Sequence, residues 1–188
     1  MTGNDRRVAI ITGGSQGIGA GLVAGYLGRG WAVVANARTI RASADPGVLT
    51  VEGDIAKPAT ADRIVEGALE RFGRIDTLVN ISATLAEVAN SHAPSVLAAL
   101  TKGGLAAATR SLAVEYASRG IRVNAVSPGI IQTPVYPADS YEGLRDQLPP
   151  LGRVGQVSDV VAGVLFLESS PFVTGEILHI DGGQTAGH

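Results

Sequence analysis

Val8-Ala-Ile-Ile-Thr-Gly-Gly-Ser-Gln-Gly-Ile-Gly-Ala20 decides the fold. Val8 to Ile11 are β-branched or small and predict a buried strand. Gly13, Gly17 and Gly19 follow with the spacing Gly-x3-Gly-x-Gly, and a helix then begins. Gly13 permits the tight turn, Gly17 lets backbone approach a pyrophosphate, and Gly19 lets the helix sit close to the strand. The free N–H groups and positive dipole end of that helix favour a phosphate. Ser15, Gln16 and Ile18 fill the remaining positions of this candidate nucleotide loop. An ordinary strand-to-helix turn can carry the same glycines without a ligand.

Outward from the loop, strand and helix patterns alternate. Ile18, Leu22, Tyr26 and Leu27 share one face of a helix ending near Gly28-Arg29-Gly30. Trp31 to Ala35 reads as a second strand, whose last residues Asn36-Ala37-Arg38 are expected to face an adenosine ribose. The link from Ala37 to Gly47 holds the turn Asp45-Pro46-Gly47 and is too short for a full crossover helix. Val48 to Val51 is the third strand. Pro58 opens a helix whose stripe of Ile64, Val65, Ala68, Leu69 and Phe72 reads as core. A long helix runs from about Pro94 to Ser118, Ile121 to Val126 is a central strand, Ser158 caps a further helix, and Glu176 to Ile180 is the last strand. The alternation implies an α/β fold: a three-layer, Rossmann-like, doubly wound parallel sheet in a single domain, residues 1–188.

Composition narrows the function. The chain has 188 residues, 45% hydrophobic, 17% charged, with a net charge of −2. That length buries a sizeable core, and the near-neutral charge without a basic run argues against nucleic acid as partner. With no cysteine, thiolate nucleophiles and Cys-ligated metals are excluded; no metal site is expected. Met-Thr-Gly-Asn-Asp-Arg-Arg at the N-terminus has no signal-peptide core, and no apolar run is long enough for a bilayer. A cytoplasmic location without membrane contact is the expectation.

Thr12-Gly13-x3-Gly17-x-Gly19, Gly53-Asp54-Ile55, Asn80, Thr101-Lys102-Gly103-Gly104-Leu105, Arg122-Val-Asn-Ala-Val-Ser-Pro-Gly129 and His179-Ile-Asp-Gly-Gly183 occur in one order. Together they closely resemble the short-chain dehydrogenase/reductase family over almost the whole chain. The resemblance implies adenine contact by Asp54, through a hydrogen bond, and Ile55, through packing; the alternative for Asp54 is a helix-capping carboxylate before Pro58. It implies nicotinamide and phosphate contact by Pro128, Gly129, Ile131 and Thr133, and ribose binding by Lys102. The family's acid at the ribose 2′-hydroxyl falls on Ala37, with Arg38 next; a guanidinium suits phosphate oxygens, so NADP(H) is favoured over NAD(H). A subunit-contact terminus at Asp181-Gly182-Gly183 and the long helix imply a homo-oligomer.

Two departures from the family pattern bear on chemistry. Ile75-Asp-Thr-Leu-Val-Asn-Ile-Ser-Ala83 carries the signatures of two successive family strands in one. The helix and strand between them are missing, so the fold is short of about one αβ unit, and the family's active-site Asn has no counterpart. Asn80 fits either strand's role, and the catalytic serine position falls on Ser82 or Ala83. The family's tyrosine, four residues before the lysine and so on the same helix face, is replaced by Ala98. Lys102 and Ser82 remain as catalytic candidates; His92, Lys102, Tyr136 and Tyr141 are the substitute proton donors to weigh. The leading expectation is an NAD(P)(H)-dependent oxidoreductase acting on a carbonyl or alcohol of a small apolar molecule. The alternatives are a dinucleotide-binding protein without catalysis and a truncated inactive form of a larger enzyme.

Overall fold

The computed structural model describes residues 6–89, 95–134, 141 and 149–187. The chain forms two compact units, Met1–Leu78 and Val79–His188. Every strand pairing found in either unit is parallel.

The first unit contains β1 (Val8–Thr12), α1 (Gly17–Leu27), β2 (Ala32–Ala37), β3 (Val48–Glu52), α2 (Pro58–Phe72) and the start of β4 (Thr77–Ile81). Its strands lie in the order β3-β2-β1-β4. All of β2 is buried, as a strand between two parallel neighbours requires. The core joins Val8, Ala32, Val34 and Val51 of the sheet to Ile64 and Ala68 of α2. Pro58 opens α2 and Gly73, left-handed at φ 77°, closes it. Val65 and Leu69, read from sequence as core, are exposed; the apolar stripe of α2 is wider than the strands beneath it. No helix forms between β2 and β3, in line with the short link. Asn36 corrects a second expectation. Its side chain does not face outward to a ribose but is buried, donating to the carbonyls of Val51 (2.8 Å) and Gly53 (3.1 Å). These carbonyls at the end of β3 need donors, and the amide supplies them.

The second unit contains the end of β4, α3 (Val96–Tyr116), β5 (Arg122–Pro128), a two-residue ladder of β6 (Ile131–Gln132) with β7 (Gly155–Gln156), α4 (Val157–Ser169) and β8 (Ile177–Ile180). Here the order is β4-β5-β8. Ser82 N–H donates to Val126 O (2.8 Å), so the chain leaving β4 stays tied to β5. Ala106 of α3 packs on Ala125 and Ile177. Leu97, Leu100 and Val114 on the opposite side of α3 are exposed, as are Gly104 and Ala107 between them. Gln156, not Ser158, caps α4: its N–H donates to Asp159 at 2.8 Å. Pro94, the expected start of the long helix, lies outside the described residues.

Two polar residues of β5 fasten the α4–β8 connection. Arg122 donates to Glu168 Oε2 (2.7 Å) and to the carbonyls of Leu167 (2.9 Å) and Val173 (3.1 Å). Asn124, fully buried, donates to Val173 O and accepts from Glu176 N–H. Glu168 is itself buried, so removing the guanidinium leaves a carboxylate in low dielectric. Arg122→Ala is expected to lower unfolding free energy by about 3–5 kcal/mol, measured by urea denaturation. A loss below about 1 kcal/mol would show that the pair is not structural.

Candidate functional site

In the first unit the glycine turn has the shape its sequence demands. Gly13 has φ +70° and open space where a Cβ would stand. A Cβ on Gly19 would overlap the Gly13 carbonyl oxygen, so α1 seats on the turn itself. Gly14 N–H donates to Asn36 O (2.9 Å), fixing the turn to the end of β2. Gln16 precedes α1 in extended conformation and its side chain makes no cap, and the first turn of the helix contains no acid. Among the described residues the leading N–H groups therefore have no side-chain acceptor, and Ser15 and Gln16 are exposed beside them. This cradle of open backbone fits a diphosphate. Beyond β2, Arg38 is exposed. Asp54 accepts a hydrogen bond from Ala56 N–H (3.0 Å), so one oxygen stabilises its own turn. Ile55 is 49% exposed, an apolar side chain displayed next to it.

In the second unit Lys102 and Ser82 come together, but each side chain is turned to a backbone carbonyl, Lys102 to that of Ile81 and Ser82 to that of Lys102. Lys102 Nζ donates to Ile81 O (2.8 Å) and Ser82 Oγ donates to the Lys102 carbonyl (3.2 Å). Ser82 is buried, so its hydroxyl is turned into α3. Asn80 is likewise held to α3, donating to Thr109 Oγ1 (2.8 Å). Ala98 is half-buried one turn before Lys102, in the series Ala98, Lys102, Ala106, Thr109, Ala113 that forms the inward face of α3. Gly129 N–H donates to Ile180 O (3.1 Å), placing the Pro128–Thr133 segment at the end of β8. The Tyr141 hydroxyl accepts from Thr133 N–H and donates to the Ile131 carbonyl, so it braces that segment. His92 and Tyr136 lie outside the described residues.

A cavity of about 530 Å³ opens beside this segment, walled by Ile130, Ile131, Pro149, Pro150, Leu151 and His179, among others. Sequence reading did not single out His179 for its ring or connect it to Glu87. The structure pairs His179 Nε2 with Glu87 Oε2 at 2.7 Å, a contact between residues 92 apart in sequence that no local pattern announces. Asp181 lies on the same cavity wall. Burial pushes its carboxyl up, but the Thr185 hydroxyl (2.6 Å), the Thr185 and Gly183 N–H groups and nearby His179 outweigh burial. They hold it below the ordinary aspartate range.

The parallel strands, the glycine turn and the uncapped helix behind it define a Rossmann-type, nucleotide-binding protein. Residues 7–99 match the short chain dehydrogenase family and residues 78–185 match the family described as enoyl-(acyl carrier protein) reductase. The chain belongs to the short-chain dehydrogenase/reductase family. An uncharacterised oxidoreductase of Methylorubrum extorquens is 32% identical, covering 97% of this chain and 99% of that protein. The match runs over 247 residues although this chain has 188, so part of the relative's interior has no counterpart here. Among solved structures, ElxO with NADP bound gives a TM-score of 0.85 at 25% identity, covering 97% of this chain and 100% of that one. The 3-ketoacyl-(acyl-carrier-protein) reductase of Brucella melitensis, complexed with NADH, gives 0.81 at 25%, covering 95% and 98%. Among the described residues no helix is long and apolar enough to cross a membrane.

The Asp181 network predicts a pH signature. Its folded value lies below the unfolded one, about 3.9. The stability it contributes is therefore complete above that value and is lost as pH falls through the folded value. Asp181→Asn is expected to be about 1–2 kcal/mol less stable at pH 7. It should also lose less stability than the parent between pH 5 and pH 2, both followed by urea denaturation. Parallel pH profiles would show that this carboxylate does not carry the acid limb.

Proposed function

We propose that this chain binds a nicotinamide dinucleotide, with NADP(H) favoured, and acts as an oxidoreductase on a carbonyl or alcohol of a small apolar molecule. The observation that carries the proposal is the cradle at Gly13, Gly17 and Gly19: open backbone at a helix start that no side chain caps. Family relatives with NADP and with NADH bound support the cofactor class. In this reading Gly13, Ser15, Gln16, Gly17, Ile18 and Gly19 hold the diphosphate. Ile55 packs on the adenine with Asp54 beside it. Asn80, Pro128, Gly129, Ile131 and Thr133 serve the nicotinamide half. The preference for NADP(H) rests on the absence of a carboxylate at positions 36–38, where one would repel a 2′-phosphate. Arg38 adds positive charge there.

Bound in reduced form, the cofactor supplies a hydride for a carbonyl carbon. The chain's own residues must then deliver a proton to the carbonyl oxygen and exclude water. Lys102 is the one cation that the family pattern places at the nicotinamide ribose. Half-buried, it donates to Ile81 O, which aims the ammonium along the end of β4. Ser82 is assigned the substrate oxygen, a role for which its hydroxyl must leave the Lys102 carbonyl. Ala98 offers no proton. Loss of positioned general acid costs typically about 10²–10⁴-fold in rate, so turnover by the native chain is slow. The same residue favours a second reading, dinucleotide binding without catalysis.

Ala98→Tyr tests the proposal. A phenol at this position lies one turn from Lys102 on the inward face, where a neighbouring ammonium favours its ionised form. NADPH consumption with a panel of ketones and quinones is expected to rise in this variant, by less than the full factor of about 10²–10⁴, because the family's relay Asn is also missing. If Ala98→Tyr binds cofactor but changes nothing, while Lys102→Ala abolishes a native activity, protons take another route. No turnover by any form supports binding alone.

A further inference from the structure

Ser82, Pro128 and His179 stand at or next to the carboxyl ends of β4, β5 and β8. Ligands of an open parallel sheet gather at that end. His179 pairs in register with Ser127, one residue before Pro128, and Gly129 N–H is tied to Ile180 O (3.1 Å). This ladder brings His179 to the wall of the cavity of about 530 Å³ that Ile130, Ile131, Pro149, Pro150 and Leu151 also line. Those walls are apolar, in keeping with a small apolar substrate. Ile131 belongs to the segment assigned above to the nicotinamide half.

Glu87 reaches the ring from a different part of the chain. It follows the turn Thr84–Ala86 beyond β4 and holds His179 Nε2 at 2.7 Å. Among the described residues it is the ring's one hydrogen-bond partner, which leaves Nδ1 for a ligand. A carboxylate on one ring nitrogen fixes the imidazole, and the other nitrogen can then give or take a proton at a reacting oxygen. The two side chains are 36% and 35% exposed, so water can replace a proton after each turnover. The other charged groups on the cavity wall are Asp181, close enough to His179 for its carboxyl to feel the ring's charge, and Arg153 with Asp159, paired at 2.7 Å. Two carboxylates thus attend the imidazole, and the guanidinium on the wall is already engaged. Other candidate donors are occupied. The Tyr141 hydroxyl braces Ile131 and Thr133, and Lys102 donates to Ile81 O.

We infer that His179, held by Glu87, is the proton donor for carbonyl reduction by this chain, in place of the phenol that Ala98 does not supply. The inference rests on the oxidoreductase reading above and adds the proton route to it. As hydride from the reduced cofactor reaches the carbonyl carbon, the C=O π pair moves to oxygen, and the imidazolium N–H gives that oxygen its proton. The products are the alcohol, the oxidised cofactor and a neutral imidazole, which takes a new proton from water. In alcohol oxidation the same neutral ring accepts the proton. A half-exposed ring shares its proton with solvent, so it restores part of the rate that a fully positioned acid supplies.

Steady-state reduction of cyclohexanone and of acetophenone with NADPH by the full chain, followed from about pH 5 to about pH 9, tests the assignment. In the parent, kcat is expected to fall as pH rises through the range in which histidine titrates. His179→Phe and His179→Gln should each lower kcat by roughly 10–100-fold and flatten that limb. Both should leave NADPH affinity, measured by calorimetry, within about twofold of the parent, because the ring does not hold the cofactor. Glu87→Gln keeps a hydrogen-bonding side chain without the charge; its kcat should lie between the parent and His179→Phe, with the limb displaced. Apart from turnover, the His179 ring signal in the NMR spectrum of the NADP+-loaded chain, identified by its loss in His179→Phe, should shift when the ketone that is reduced is added. A parent that reduces neither ketone overturns the oxidoreductase reading and this assignment with it. A parent that reduces one, with kcat and pH limb unchanged in the His179 variants or a ring signal indifferent to that ketone, leaves the reading standing and overturns the assignment. If both His179 variants lose NADPH binding, Glu87→Gln decides: a parental kcat and pH limb in that variant overturn the assignment.

Discussion

The carbonyl oxygen of Gly13 occupies the place where a side chain on Gly19 would begin. This backbone-to-backbone approach sets the seat of α1 on the turn. It also keeps the leading N–H groups of α1 in the open. The Gly14 N–H to Asn36 O bond then ties the turn to β2, and the Asn36 amide ties the end of β2 to β3. A side chain at position 19 would lift α1 off the turn and disturb each of these contacts in sequence. The open cradle to which the diphosphate is assigned in the proposal is thus a consequence of packing.

What the chain lacks is chemical more than architectural. Thr77–Ile81 is a single strand bearing the signatures of two family strands. Removing a helix and a strand together preserves the parallel sense of the sheet, because each whole crossover returns the chain in the same direction. The interaction with Lys102 survives at the end of β4, through Ile81 O. On the proposed reading the groups that would move a proton beside it do not: the family's tyrosine position falls on Ala98, and the relay Asn goes with the missing helix.

The sheet was legible in the sequence because its signals are local. Val8–Ile11 and Trp31–Ala35 are unbroken apolar runs, the glycine spacing marks the turn, and Asp45-Pro46-Gly47 leaves no room for a helix. Side-chain direction was not legible where the partner lies far along the chain. Asn36 reads as a ribose-facing polar residue until the carbonyls of Val51 and Gly53 are seen to need it. Ser82 reads as a displayed hydroxyl until the Lys102 carbonyl is found within its reach. Arg122 and Asn124 read as motif residues, yet in space they hold the α4–β8 connection. The apolar stripe of α2 overstated the core because periodicity shows which side chains share a face, not how much sheet lies beneath them. At the site, the glycine loop was recognisable from spacing; the His179–Glu87 pair depends on tertiary placement.

The shortened chain is expected to hold a dinucleotide still. Isothermal titration of the full chain with NADPH, repeated with NADH, addresses it without requiring turnover. One NADPH is expected to bind per chain, more tightly than NADH. Absence of binding by both cofactors, with the chain shown folded by circular dichroism, would show that it holds none.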